Sequence, residues 1–136
     1  MGEYLRYRSS LGPRLSELAI LVTARHWSQQ VEWAIHAPIA EREGISAQTI
    51  ESLAKGKRPT SMAAVEAVIY GFYTELHETQ MVSDACWARA IEYFGEAGAV
   101  DLIGVTGYYT FLSMVINASR TTVPTSEAKP LEPLGK

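Results

Sequence analysis

A glutamate and a histidine about one helical turn apart are the residues of this sequence best suited to chemistry. Gln29, Glu32 and His36 have the spacing i, i+3, i+7, so on a helix their side chains share one narrow face. The other residues around them are mostly apolar, which indicates a helix buried on most sides whose polar face meets either water or a pocket. In a pocket, a carboxylate beside an imidazole tunes both groups for proton transfer. On a surface, the same pair is an ordinary ion pair of about 0.3 kcal/mol, and the spacing alone favours this surface interpretation.

A second carboxylate, Glu17, lies where a charge is unexpected. It shares a helical stripe with Ile20, Leu21 and Ala24, so it points along the buried side of its helix. A carboxylate there is either in a polar pocket or energetically costly. A place in the first helical turn would also explain it, because a negative charge there interacts favourably with the helix dipole. The sequence leaves both interpretations open.

The other histidines, the cysteine and a tyrosine pair predict mainly structural roles. His26 and His77 fall near predicted helix C-termini, where an imidazole can bond to terminal carbonyls. No two histidines have the spacing of metal ligands, so we expect no metal site. The single cysteine, Cys86, is expected to be a small buried apolar residue on a helix. Tyr108 and Tyr109 point about a quarter turn apart, so at most one should face any given site.

Helical spacing and helix punctuation recur along the whole chain, whereas no stretch alternates convincingly with period two. The sequence therefore predicts an all-α bundle of about six helices in a single domain, residues 1–120. Residues 121–136 are polar and rich in proline, which predicts an extended or disordered tail. The helices are predicted at about 13–27, 29–43, 46–56, 62–77, 84–96 and 99–119, with Thr60 or Ser61 capping the fourth, Ser83 capping the fifth and Gly98 separating the last two.

Composition limits the partners that we expect. The 136 residues include 12 Lys and Arg against 15 Asp and Glu, a net charge of −3 that offers no field to attract nucleic acid or an anionic membrane. The N-terminus has no apolar signal-peptide region, and the longest uncharged stretch, residues 102–116, is shorter than the ~18 residues of a membrane span. We therefore expect a cytoplasmic protein that does not bind membranes. Residues 45–59 look like a DNA-reading helix with a basic exit, but Glu51 and the acidic net charge favour an exposed basic loop.

Several segments resemble the carboxymuconolactone decarboxylase/alkylhydroperoxidase D-like family, in its branch with a Glu-Trp-x-x-His motif. The motif is formed here by Glu32, Trp33 and His36, followed by Pro38. Further similarity lies in residues 15–21 and 44–46, and downstream in residues 82–84, 94–98 and 107–117. The resemblance covers residues 5–123. Each motif alone is weak, but their order and spacing together make the resemblance specific.

This resemblance implies an all-helical bundle that forms trimers or hexamers, with the pocket near a subunit contact. The family's peroxidase branch uses a glutamate, two cysteines and a histidine. By position these fall on Glu17, on Gln29 and Glu32, and on His36, so thiol peroxidase chemistry is not expected. The decarboxylase reaction needs no cofactor, because the protein has only to stabilise an enolate and deliver a proton.

The resemblance also implies roles for the site residues, with a small lactone or oxo acid as the substrate. His36 is the expected proton donor, and Glu17 or Glu32 the carboxylate that tunes it. Three further residues are expected to contact the substrate: Gln29 as a donor to an oxyanion, Trp33 as an apolar wall, and Tyr108. The alternative is a non-catalytic, oligomeric small-molecule-binding or scaffold protein with the same fold.

Overall fold

The computed structural model describes residues 1–123 and 130–134, and this part of the chain is all-helical, without strands. The predicted fold class is therefore confirmed. A π-helical turn, Tyr4–Arg8, precedes five α-helices: α1 Pro13–His26, α2 Gln30–Arg42, α3 Ala47–Ala54, α4 Ala64–Thr79 and α5 Asp84–Ser119.

Helix α1 is the centre of the bundle. Every residue from 15 to 25 is buried, and the helix contacts α2, α3, α4, α5 and the N-terminal turn. A helix surrounded in this way must be largely apolar on all sides, as Leu18 and Leu21 illustrate. Any charged side chain in its middle must therefore have a partner on a neighbouring helix.

The predicted helix starts hold for the first three α-helices and fail for the fourth. Ser46 caps α3 by accepting the backbone N–H of Thr49, as expected. Neither Thr60 nor Ser61 caps α4, which begins later. The residue before this helix is Ala63, and the carboxylate of Glu66 accepts its backbone N–H at 2.9 Å.

The prediction that Gly98 separates the last two helices is wrong. One helical run, α5, extends through Gly98, and the break lies at Gly95, where φ is 70° and ψ is 179°. Such a φ is costly for residues with a Cβ. Gly98 is buried instead, where an added Cβ would collide with the side chain of Phe94.

Helix α5 has two contrasting faces beyond its break. Leu102, Val105, Tyr109 and Ser113 are buried against the bundle. By length and composition alone α5 is able to cross a membrane, although 39% of its most apolar window is buried inside the protein. The exposed large apolar residues of α5 beyond the break, which we call the α5 stripe, are Val100, Ile103, Phe111, Met114 and Val115.

Part of the predicted tail packs against the bundle. Residues 130–134 are extended, and Leu131 is buried. The side-chain amide of Gln30 both donates to the carbonyl of Leu131 and accepts its N–H, each at 2.8 Å. Arg25 donates to the carbonyl of Glu132 at 3.0 Å. Of the two predicted alternatives, extended or disordered, these residues adopt the extended one, while 124–129 and 135–136 lie outside the described part.

Candidate active site

The packing of α1 against α2 brings two carboxylates to opposite sides of one imidazole. His36 Nδ1 lies 2.6 Å from Oε2 of Glu17, and His36 Nε2 lies 3.2 Å from Oε2 of Glu32. All three side chains are less than a tenth exposed. Glu17 and Glu32 thus bracket a buried histidine, an arrangement that we call the Glu–His–Glu triad.

The surface interpretation of Glu32 and His36 is wrong, because both side chains are buried. The dipole interpretation of Glu17 is also wrong. Glu17 is the fifth residue of α1, and the first turn contains no acidic residue. Its charge is stabilised by a partner on another helix, which is what the polar-pocket interpretation required.

The start of α2 positions one member of the triad. Gln29 caps the helix, since its Oε1 accepts the backbone N–H groups of Val31 and Glu32 at 2.6 and 3.1 Å. Its Nε2 donates to Oδ1 of Asn117 near the end of α5. Gln29 is buried and does not line the cleft beside His36. The amide of Gln29 therefore orients the first turn of α2. The expectation that Gln29 contacts the substrate is not met, because its side chain does not reach the cleft.

The two carboxylates determine the protonation of His36. Burial alone lowers the pKa of this imidazole, but the hydrogen bonds to Glu17 and Glu32 and their negative charges outweigh burial and raise the pKa above its ordinary value. A raised pKa favours the imidazolium form, in which the two ring N–H groups donate to the two carboxylates.

A cleft of about 470 Å³ opens beside the triad. His36 and Glu32 line it, whereas Glu17 does not. The edge-to-face contact between His36 and Tyr109, with ring centroids 5.3 Å apart, forms part of the wall. Both Tyr108 and Tyr109 line the cleft, which contradicts the expectation that at most one of them faces a given site. The two rings are perpendicular to each other, so neighbours in sequence present different surfaces to one cavity.

The N-terminal segment covers this cleft, and the sequence reasoning missed it. Gly2, Glu3, Arg6 and Tyr7 all line the cavity. The only local signal was the run of aromatic and basic residues at positions 4–8, which is too short to show helical periodicity.

A buried carboxylate on α5 holds this segment in place. Asp101 accepts hydrogen bonds from the hydroxyl of Tyr4 at 3.1 and 3.2 Å. It also accepts the backbone N–H and the hydroxyl of Ser10 at 2.9 and 2.8 Å. Leu5, between these anchors, is buried next to Gly104. Asp101 thus joins residues about 90 positions apart and sets where Arg6 and Tyr7 lie.

Trp33 does not line the triad's cleft. It is buried and borders two other clefts, formed with α3 and with the tail, where Ala54 is a common neighbour. The cleft along the tail is larger, about 580 Å³, but contains no histidine. Trp33 is therefore not a wall of the triad's cleft.

His26 and His77 form a second histidine arrangement that was not expected. Their rings stack with centroids 4.4 Å apart. His77 Nε2 lies 2.8 Å from the hydroxyl of Thr106, which lies 3.2 Å from that of Thr23. The hydroxyl of Thr23 donates its hydrogen bond to the carbonyl of Ala19. Thr106 therefore donates to Thr23 and accepts from His77 Nε2–H.

The hydrogen bond to Thr106 selects the tautomer of His77, and burial favours its neutral form. Burial, with a smaller contribution from the nearby His26, lowers the pKa of His77 to about 4. The hydrogen bonds described above involve side-chain hydroxyls, so the predicted carbonyl-capping role of His77 is replaced by a contact between helices α4 and α5.

The remaining candidates for chemistry are weaker. Cys86 is only partly buried, and burial together with Glu75 raises the pKa of its thiol to about 11. Within the described residues, no group of three or more His, Cys, Asp and Glu side chains is arranged to hold a metal ion.

No family model, curated protein or solved structure matches this chain. The family resemblance stays a prediction from the sequence.

Proposed function

We propose that the triad's cleft is the active site of an enzyme that transfers a proton to or from a small carbonyl compound and needs no cofactor. Its simplest form is a carbon–carbon lyase of the carboxymuconolactone decarboxylase type, acting on a small lactone or oxo acid. The observation that carries the proposal is the buried imidazole of His36, bracketed by Glu17 and Glu32 at the wall of a cleft. Buried titratable groups with specific charge partners are typical of catalytic sites.

The two contacts of His36 support different roles for the two glutamates. The contact to Glu17 is the shorter one, and Glu17 lies behind the imidazole, outside the cleft. Glu17 therefore orients the ring and stabilises its charge. The contact to Glu32 is longer, and Glu32 lines the cleft with His36. A substrate atom can take the place of Glu32 at Nε2, and this nitrogen then delivers the proton.

The proposed reaction balances with these groups alone. The bond between the substrate carbon and its carboxylate breaks, carbon dioxide leaves, and the bonding pair is delocalised as an enolate into the neighbouring carbonyl. Nε2–H of His36 gives its proton to the carbon, and water restores that proton afterwards. A positioned acid contributes about 10²–10⁴-fold to such a step.

Arg6 supports an acidic substrate. Its guanidinium lies over the ring of Tyr7, with Cζ 5.1 Å from the ring centroid, and Arg6 lines the cleft. Within the described residues it has no hydrogen bond or ion pair. A guanidinium without a carboxylate partner is suited to bind a substrate carboxylate. Tyr109 and Leu112 supply apolar wall beside it.

Two further arguments bear on the proposal. The sequence resemblance described above supports the decarboxylase type, and the exposed α5 stripe supports the implied homo-oligomer, because an apolar face on a small domain favours association. The alternative, a binding or scaffold protein without turnover, is favoured by one observation: both ring nitrogens of His36 are occupied by carboxylates. The two proposals differ in whether a bound compound is converted.

The test is a screen of small lactones and oxo acids for loss of carbon dioxide or for exchange of an acidic C–H proton. With a substrate in hand, His36→Ala should lower kcat by about 10²-fold or more, and Glu17→Gln should change the pH–rate profile as well as the rate. His77→Gln is the matched control, since His77 does not line the cleft, and it should retain the wild-type rate. Near wild-type turnover by His36→Ala would refute the proposal. Saturable binding without turnover would favour the scaffold alternative.

A further inference from the structure

A second cleft, of about 320 Å³, lies between α4 and the first turns of α5. It shares no lining residue with the triad's cleft. Small residues, Ala67, Gly71 and Ala85, leave room in it, and two arginines, Arg58 and Arg89, also line it.

Gly71 has no structural requirement to be a glycine. It lies inside α4, and its φ is not in the left-handed region. A Cβ added there would meet no atom within 4 Å, so no close neighbour excludes a side chain. A glycine within a helix weakens the helix relative to alanine. The consequence of Gly71 is therefore a deeper cleft.

Arg58 is held beside this space by an aromatic ring. It lies in the exposed basic loop that follows α3, and its Cζ is 5.2 Å from the ring centroid of Tyr70 on α4. Stacking on a ring leaves the edge of a guanidinium, which carries its N–H groups, free to bond. Arg58 has no hydrogen bond or ion pair within the part of the chain that the structure describes.

Arg89 contributes a second cation, and the acidic group of the cleft does not neutralise it. Arg89 is one helical turn after Cys86, and within the described ranges it too has no hydrogen bond or ion pair. Glu75 is the carboxylate of the cleft. Its oxygens accept the backbone N–H and the hydroxyl of Ser83 at 2.8 and 2.9 Å. Two arginines and one glutamate leave a net charge of +1, while the Cys86 thiol is neutral.

We propose that this cleft binds a small soluble molecule through an oxyanion group, a phosphate or a carboxylate, held by Arg58 and Arg89 above Gly71. The planar guanidinium matches both groups, because each presents pairs of oxygens to its parallel N–H bonds. The site is separate from the triad, so it does not depend on the function proposed there.

The test is isothermal titration calorimetry of the full chain with inorganic phosphate and, separately, with malonate, at constant ionic strength. We expect saturable binding of one molecule per chain for at least one anion, and the comparison shows which oxyanion the cleft prefers. Arg58→Gln and Arg89→Gln should each weaken binding about tenfold or more, the usual effect of losing a charged hydrogen bond. Gly71→Leu should abolish binding by filling the cleft, and it should melt at or above the wild-type temperature because its side chain enters open space.

Arg42→Gln is the matched control, since Arg42 is exposed at the end of α2 and does not line the cleft. Its dissociation constant should equal that of the wild type. Absence of binding for both anions would overturn the proposal. Equal weakening by Arg42→Gln would also overturn it, because the anions would then be sensing only overall charge. Wild-type affinity in Gly71→Leu would show that the anion binds elsewhere.

Discussion

The Glu–His–Glu triad makes a specific prediction about stability. His36→Gln removes the positive charge from between Glu17 and Glu32 and leaves both carboxylates buried. Removing one partner of a buried ion pair costs about 3–5 kcal/mol, because the remaining charge is uncompensated. A typical domain has about 5–15 kcal/mol of stability, so we expect the variant to fold with a much smaller margin.

The expected loss is measurable by urea unfolding followed by circular dichroism. For small proteins the free energy of unfolding falls by about 1–3 kcal/mol per molar urea, so the midpoint should drop by ~2 M. The loss should also depend on pH. The pKa of His36 is raised in the folded protein, so the ion pairs contribute fully below the ordinary value of 6.5 and their contribution is lost as the pH rises through the folded pKa. The gap between wild type and variant should therefore be wider at pH 6 than at pH 9.

A double-mutant cycle identifies the cause of the loss. Adding Glu17→Gln to His36→Gln removes one of the two unpaired charges, so the double variant should be more stable than His36→Gln alone. Lys55→Gln is a control with the same i, i+4 spacing as the pair of Glu32 and His36, because Lys55 pairs with Glu51 on the exposed surface. Its effect should be no more than about 0.5 kcal/mol. A loss below about 1 kcal/mol for His36→Gln, or a gap that is equal at pH 6 and pH 9, would refute this reasoning.

Three other side chains give predictions of different kinds. Asp101→Asn should loosen the N-terminal segment, because the carboxylate anchors residues 4 and 10, and amide exchange of residues 4–10 should rise while that of α3 stays unchanged. Burial lowers the pKa of His77 to about 4, so between pH 6.5 and 4 the unfolded chain binds a proton at this residue and the folded chain does not. The free energy of unfolding of the wild type should therefore fall as the pH is lowered over that range. The urea midpoints of His77→Gln should fall less steeply. The chain should be a homo-oligomer by light scattering at micromolar concentration, and Phe111→Glu on the α5 stripe should lower the mass; a monomeric wild type would contradict this.

The helices could be predicted from the sequence because their signals are local. Pro13 at the start of α1 and the caps Ser46 and Ser83 act within one helical turn of themselves. Gly44, which takes φ of 107° after α2, is a similarly local stop signal. The sequence did not distinguish Gly95 from Gly98, because either glycine can turn the backbone, and the break is identified by the φ of 70° at Gly95.

Local signals in the sequence predicted only part of the Glu–His–Glu triad. The sequence by itself placed Glu32 and His36 on one face of a helix, because an i, i+4 relation follows from helix geometry alone. Whether that face met water or a pocket depended on α1. Glu17 on α1 precedes His36 by 19 residues, and its carboxylate reaches the imidazole only because the two helices pack together. The N-terminal cover depended on Asp101, 91 residues from Ser10. Burial and partner choice arise from contacts between distant segments, and spacing along one helix carries no information about them; only the tertiary structure could decide that the imidazole of His36 lies buried between two carboxylates.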